Sequence, residues 1–173
     1  MNFGGRPSPK CLEAEPETES AGTDAAGLPE IVCFVSSRDV CRGPVCAAVY
    51  NALAKERGCV KKAMSCGIDA EDGAPVSMLA LRALKESGYL CEGDNGTHHS
   101  MRVSRLMAEC SEAVIAVDDD IAMKLMFAFP DLASKIRCLS EPLNAPADDT
   151  AEKYIYLVME AERLIKTMTG ETP

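Results

Sequence analysis

Two runs in this chain, "IVCFV" at 31–35 and "AVIAV" at 113–117, are apolar at every position. Each is too short for an ordinary helix, and neither alternates as a strand with one wet face would. Such segments are satisfied as strands covered on both sides, the situation of a parallel sheet between two helical layers. Weaker runs, "KKAMSCG" at 61–67 and "KIRCL" at 135–139, predict two further strands. Between the runs the apolar spacing changes to three and four. Val45, Val49, Ala52 and Leu53 mark a helix that Gly58 ends; Val76, Leu79, Ala80, Ala83 and Leu84 mark one that Pro75 opens and Gly88 ends. Val103, Leu106, Met107 and Cys110 predict a helix capped by Ser100, with those side chains inward. The Asp118–Asp120 run reads as a helix N-terminal cap. Tyr154, Leu157, Val158, Ala161, Leu164, Ile165 and Met168 give the most regular helix of all. The expected architecture is α/β, three layers around a four-stranded parallel sheet.

Residues 1–28 are rich in Pro, Gly, Glu, Ser and Thr and show no apolar periodicity, so they predict a disordered acidic tail before a single domain at 29–173. A net charge of −9 argues against nucleic acid or an anionic membrane surface as the main partner. No apolar stretch has the length of a membrane span, and none resembles a secretory leader. Nine cysteines, an odd number scattered through apolar runs, read as reduced thiols, and the expected location is the cytoplasm. No cofactor is implied. His98 and His99 are adjacent, point apart and lack an evident third ligand, so they read as loop histidines rather than a metal site. The oligomeric state is left open.

In parallel α/β sheets, ligands bind beyond the carboxyl ends of the strands. The loop after the first run, "SSRDVCRG" at 36–43, is therefore where a site is expected. Ser36 is followed six positions later by Arg42, and Gly43-Pro44 opens a helix. Backbone N–H groups of Ser37, Arg38, Asp39, Val40, Cys41 and Arg42, the helix N-terminus and the guanidinium would form a concavity suited to an anion.

Phe34 to Ala47 resemble the active-site motif of the low-molecular-weight protein-tyrosine-phosphatase family, F-V-C-x-G-N-x-C-R-S-P-x-A-E, at Phe34, Val35, Cys41, Arg42 and Pro44. The family includes bacterial protein-arginine phosphatases and arsenate reductases. The similarity continues through 65–88, "HHS" at 98–100, 113–136 and "APADDTAEKY" at 145–154. The resemblance implies a flavodoxin-like fold, a phosphate-binding loop at 36–43, and a phosphorylated protein or small phosphate anion as partner.

The departures from the motif fall on the chemistry. Ser36 stands at the position of the nucleophilic cysteine. Gly43 replaces the hydroxyl residue that supports the thiolate, and Arg38 and Asp39 replace the loop glycine and asparagine. Ala145, nine positions before Tyr154, occupies the general-acid position. A serine hydroxyl stays protonated at neutral pH, and no neighbouring base is evident to activate it. Glu141, Asp148 and Asp149 are candidate substitutes for the acid but read as loop solvation and helix caps. Asp39 is expected to face away from the cradle and bond the loop backbone, and Cys41 to be a small packed residue. Cys66, Cys91 and Cys110 form no arrangement suited to arsenate reduction. The expectation is a weak or inactive phosphatase that still binds phosphate. The alternative, an active tyrosine or arginine phosphatase, applies if Ser36 is an engineered cysteine; the joint changes at 38, 39, 43 and 145 weigh against it.

Removing residues 1–28 should leave the melting temperature of the chain unchanged, since this segment offers no apolar face to the domain. A fall of several degrees in a thermal unfolding experiment on a chain beginning at Pro29 would place the tail on the folded body.

Overall fold

A computed structural model of the chain describes residues 30–90 and 98–170. The expected tail at 1–28, and Cys91, lie outside them. The elements in chain order are β1 Ile31–Ser36, α1 Arg42–Glu56, β2 Lys62–Gly67, α2 Met78–Glu86, α3 Arg105–Cys110, β3 Ala113–Ala116, α4 Asp119–Ala128, a 3-10 turn Pro130–Leu132, β4 Ile136–Cys138 and α5 Ala151–Met168. The four strands form one parallel sheet in the order β2-β1-β3-β4. The fold is the α/β architecture that the apolar runs predict.

Burial explains why those runs are apolar throughout. Cys33, Phe34 and Val35 of β1 are fully buried, as are Val114 and Ala116 of β3. Helices α1, α2 and α5 pack together on one side of the sheet, and α4 covers β3 and β4 on the other. Helix α5 buries Tyr154, Leu157, Val158, Ala161, Leu164 and Ile165, six of the seven residues its spacing predicts; Met168 is only half-buried. The edge strand β2 is flanked by a side chain instead of another strand. Asn51 of α1 donates from Nδ2 to the Ala63 carbonyl at 2.9 Å and accepts the Ala63 N–H on Oδ1 at 2.7 Å.

Two helix starts differ from expectation. Pro75 lies in an antiparallel bridge to His99, and Ser77 caps α2 by accepting the Ala80 N–H. Ser100 caps nothing: it is fully buried, accepts the Ala74 N–H and donates to the Glu71 carbonyl. The cap of α3 is Ser104, which accepts the Met107 N–H. Of the four residues expected inward, Val103 and Met107 pack partly against the core, Leu106 and Cys110 are exposed, and Ala108 is the buried residue of α3. Asp118 does cap α4, accepting the Ile121 N–H at 2.9 Å. Among the described residues no helix is long and apolar enough to cross a membrane.

Ile165 is fully buried and Met159, on the same helix, is 59% exposed. Ile165→Ala should destabilise the fold by about 2–5 kcal/mol, whereas Met159→Ala should stay within about 0.5 kcal/mol. Urea unfolding midpoints at unchanged m-value would check both.

Candidate functional site

Strand β1 ends at Ser36, and the chain then leaves the sheet between its two neighbours. The Ser36 and Ser37 carbonyls accept from Ile68 N and Asp69 N, each at 2.9 Å, so the loop is tied to the end of β2. Ser77 N–H bonds the Val40 carbonyl at 2.7 Å and ties its other side to the start of α2. The approach to β2 requires a glycine: a Cβ on Gly67 would meet the Ser37 carbonyl oxygen at 2.5 Å. A second glycine, Gly43, sits in the first turn of α1 beneath the loop. A Cβ there would lie 2.9 Å from Ser36 Oγ and 3.0 Å from Asp39 Oδ1.

Arg42 begins α1 and turns back toward the sheet. Its Nη1 donates to Asp118 Oδ2 at 2.5 Å and to the Leu143 carbonyl at 3.0 Å. Asp118 thus caps α4 with one oxygen and holds Arg42 with the other. Neither Nη2 nor Nε of Arg42 is engaged by a described residue. The guanidinium is anchored through Nη1, and the side chain is 16% exposed.

Asp39 occupies the left-handed region at φ +55°, where Asp and Asn are among the few non-glycine residues accommodated. It is only 1% exposed. Its N–H donates to Ser36 Oγ at 3.2 Å, and its Oδ2 accepts from His98 Nε2 at 2.8 Å and from the Met101 N–H at 3.1 Å. His98 Nε2 also lies 3.3 Å from Ser65 Oγ. Asp39 therefore bonds the 98–101 segment with its carboxylate and the loop with its amide, instead of bonding the loop backbone with its side chain as expected. Oδ1 of Asp39 is buried and has no hydrogen-bond partner. A Cβ on Gly43 would come within 3.0 Å of both this oxygen and Ser36 Oγ, and no hydrogen bond joins the two oxygens.

The remaining predicted residues are placed as follows. Ser37, Val40 and Cys41 are partly buried and Arg38 is exposed. Burial pushes the Cys41 thiol up to about 11 despite the opposing charge of Arg42. Burial likewise pushes Cys46 up to about 12. Cys66 is raised first by its hydrogen bond with Cys33, whose sulfur is 3.2 Å away, and then by burial. Ala145 lies in the 141–147 stretch, which lines a cavity of about 340 Å³ against α5; no residue of the 36–42 loop lines it. Glu141 is engaged by Arg163, Asp148 accepts from Thr150, and Asp149 accepts from the Tyr154 hydroxyl. No metal-binding cluster of His, Cys, Asp and Glu is found among the described residues.

The profile of the low molecular weight phosphotyrosine protein phosphatases matches residues 31–152. The chain belongs to this family. Among curated proteins no sequence gives a significant match. The low molecular weight protein tyrosine phosphatase of T. tengcongensis superposes with a TM-score of 0.74 at 24% identity, covering 81% of this chain and 97% of that one. A YwlE arginine phosphatase, a cysteine-to-serine mutant with a phosphorylated active-site serine, gives 0.72 at 21% identity, covering 80% and 92%. Vibrio vulnificus Wzb, in complex with benzylphosphonate, gives 0.70 at 16% identity, covering 80% and 96%. At these identities the structural likeness establishes the shared fold.

Sequence reasoning missed two pairings in this family member, Asp118 with Arg42 and His98 with Asp39. Each spans a long stretch of chain and has no local signal beyond the tolerance of aspartate for positive φ. Asp118→Ala should cost about 1 kcal/mol through the lost cap of α4, and should also release the guanidinium. Amide exchange across α4, with the Arg42 side-chain NMR signals as second readout, would check both effects.

Proposed function

We propose that residues 36–43 hold a phosphate group, free or on a phosphorylated protein, in a family member that lacks cysteine-based turnover. The observation that carries this reading is the disposition of Arg42. Nη1 is fixed by Asp118 and Leu143, which leaves the other donors of the planar fork for an anion lying against the loop amides. The helix N-terminus adds partial positive charge at the same point.

The cysteine mechanism has no evident agent here. Ser36 replaces the nucleophile, and Cys41, the thiol within the loop, is held protonated at neutral pH by its burial. Ala145 cannot protonate a leaving group. The mutant arginine phosphatase with its phosphorylated active-site serine supports the idea that an active-site serine in this fold can carry a phosphoryl group. The benzylphosphonate complex of a relative supports a tetrahedral phosphorus anion as the ligand class. The acting unit is the domain from about residue 29 onward, and the acidic surface disfavours nucleic acid as a partner.

An NMR titration with inorganic phosphate at fixed ionic strength tests the reading. The amides of residues 36–42 should shift at millimolar phosphate. Arg42→Ala should weaken binding about ten- to a hundredfold, in line with a charge-assisted contact of about 1.5–3 kcal/mol, while Ser36→Ala should change it little. Aryl phosphate hydrolysis should remain at background. Saturable turnover that survives repurification and falls in Arg42→Ala would establish an active phosphatase instead.

A further inference from the structure

The base of the loop holds an acceptor without a donor next to a donor without an acceptor. Asp39 Oδ1 is buried and receives no hydrogen bond. Ser36 Oγ, in a residue 2% exposed, accepts the Asp39 N–H, and no described residue accepts the Ser36 proton. Both oxygens lie within 3.0 Å of the one point above Gly43 where any other residue would place its Cβ. Glycine at 43 keeps that point free of a side-chain atom. An alanine or serine there would drive an atom between them.

The rest of the neighbourhood fixes the carboxylate. Its second oxygen is held by His98 Nε2 and the Met101 N–H, so the group cannot turn away to find solvent. An orienting histidine is bonded to a carboxylate whose free oxygen lies in the neighbourhood of a serine hydroxyl, with no hydrogen bond joining the last two. That is the general arrangement of an activated hydroxyl nucleophile. We propose that Asp39 is a general base for Ser36, and that Ser36 takes a phosphoryl group from an acyl phosphate. The proposal rests on phosphate being held by the 36–43 loop.

The donor class follows from what the site lacks. Residue 145 is alanine, so a leaving group that needs a proton is not served there. A carboxylate leaves an acyl phosphate as a weak base and needs none. In the step, a lone pair of Ser36 Oγ forms the new O–P bond. The P–O bond to the acyl group breaks, its electron pair departs with the carboxylate, and the Oγ proton passes to Asp39 Oδ1. Arg42 and the loop amides balance the charge on the transferring oxygens. The products are phosphoserine at 36 and the free carboxylic acid anion.

The full chain is incubated with acetyl phosphate and followed by intact mass and peptide mapping, with phosphate titration by NMR in parallel. The expected result is a single phosphoryl group on Ser36, none on Ser36→Ala, and inhibition by inorganic phosphate. Asp39→Asn can keep the bonds from His98 and Met101 and should still bind phosphate, but its labelling should slow by about a hundredfold or more. If phosphate shifts the loop amides and Ser36 stays unlabelled, the proposal is overturned while the binding reading stands; this holds whether or not Asp39→Asn folds. Equal labelling rates in the native chain and a folded Asp39→Asn would overturn the role of Asp39. An absence of phosphate shifts would overturn the binding reading and the proposal together.

Discussion

Strand β1 is hydrogen-bonded on both sides, to β2 along 31–36 and to β3 along 32–35. Because its neighbours connect in opposite directions, the chain leaving Ser36 passes between the loops that follow β2 and β3. This is the crevice in which open α/β sheets place their ligands. Everything at the candidate site depends on that position. Gly67 comes from the end of β2, Asp118 from the end of β3, and Arg42 from the helix that β1 feeds. A different strand order would separate them.

Within that frame the loop is held by two polar pairs of different character. Arg42 with Asp118 joins the start of α1 to the start of α4 across the sheet. His98 with Asp39 joins the loop to the 98–101 segment from beneath. The first pair leaves Nη2 and Nε of Arg42 without a partner among the described residues, and the second leaves Asp39 Oδ1 buried without one. A buried carboxylate oxygen without a partner is costly, of the order of 1–3 kcal/mol, and native proteins keep few of them. Asp39 Oδ1 lies at the base of the loop, where a Cβ on Gly43 would meet both it and Ser36 Oγ. The protonated state of Cys41 fits the same picture, since burial outweighs the neighbouring guanidinium.

The layers were legible because burial on both faces leaves a mark that composition cannot disguise, as at 31–35 and 113–117. Helix α5 was legible because one face of an eighteen-residue helix repeats often enough to be unmistakable. The start of α3 was not, because Ser100 and Ser104 are equally good caps by type and only the tertiary structure claims Ser100 for the 71–74 turn. Pro75 misled in the same way, by being engaged across the chain at His99. At the site, the loop and its arginine could be read from order and spacing. The Asp39 carboxylate could not, because its environment is assembled from residues 43 and 98–101, and no local pattern records their approach.

The Asn51 amide beside Ala63 has a consequence for how the molecule behaves in company. A strand at the rim of a sheet offers unpaired N–H and C=O groups that can recruit another chain. Here one such pair on β2 is already occupied by a side chain that mimics a neighbouring backbone. At the opposite rim β4 is only three residues long and carries Arg137 outward. A strand added at one rim would have to displace the Asn51 amide from Ala63, and at the other it would find only three residues of β4 to pair with.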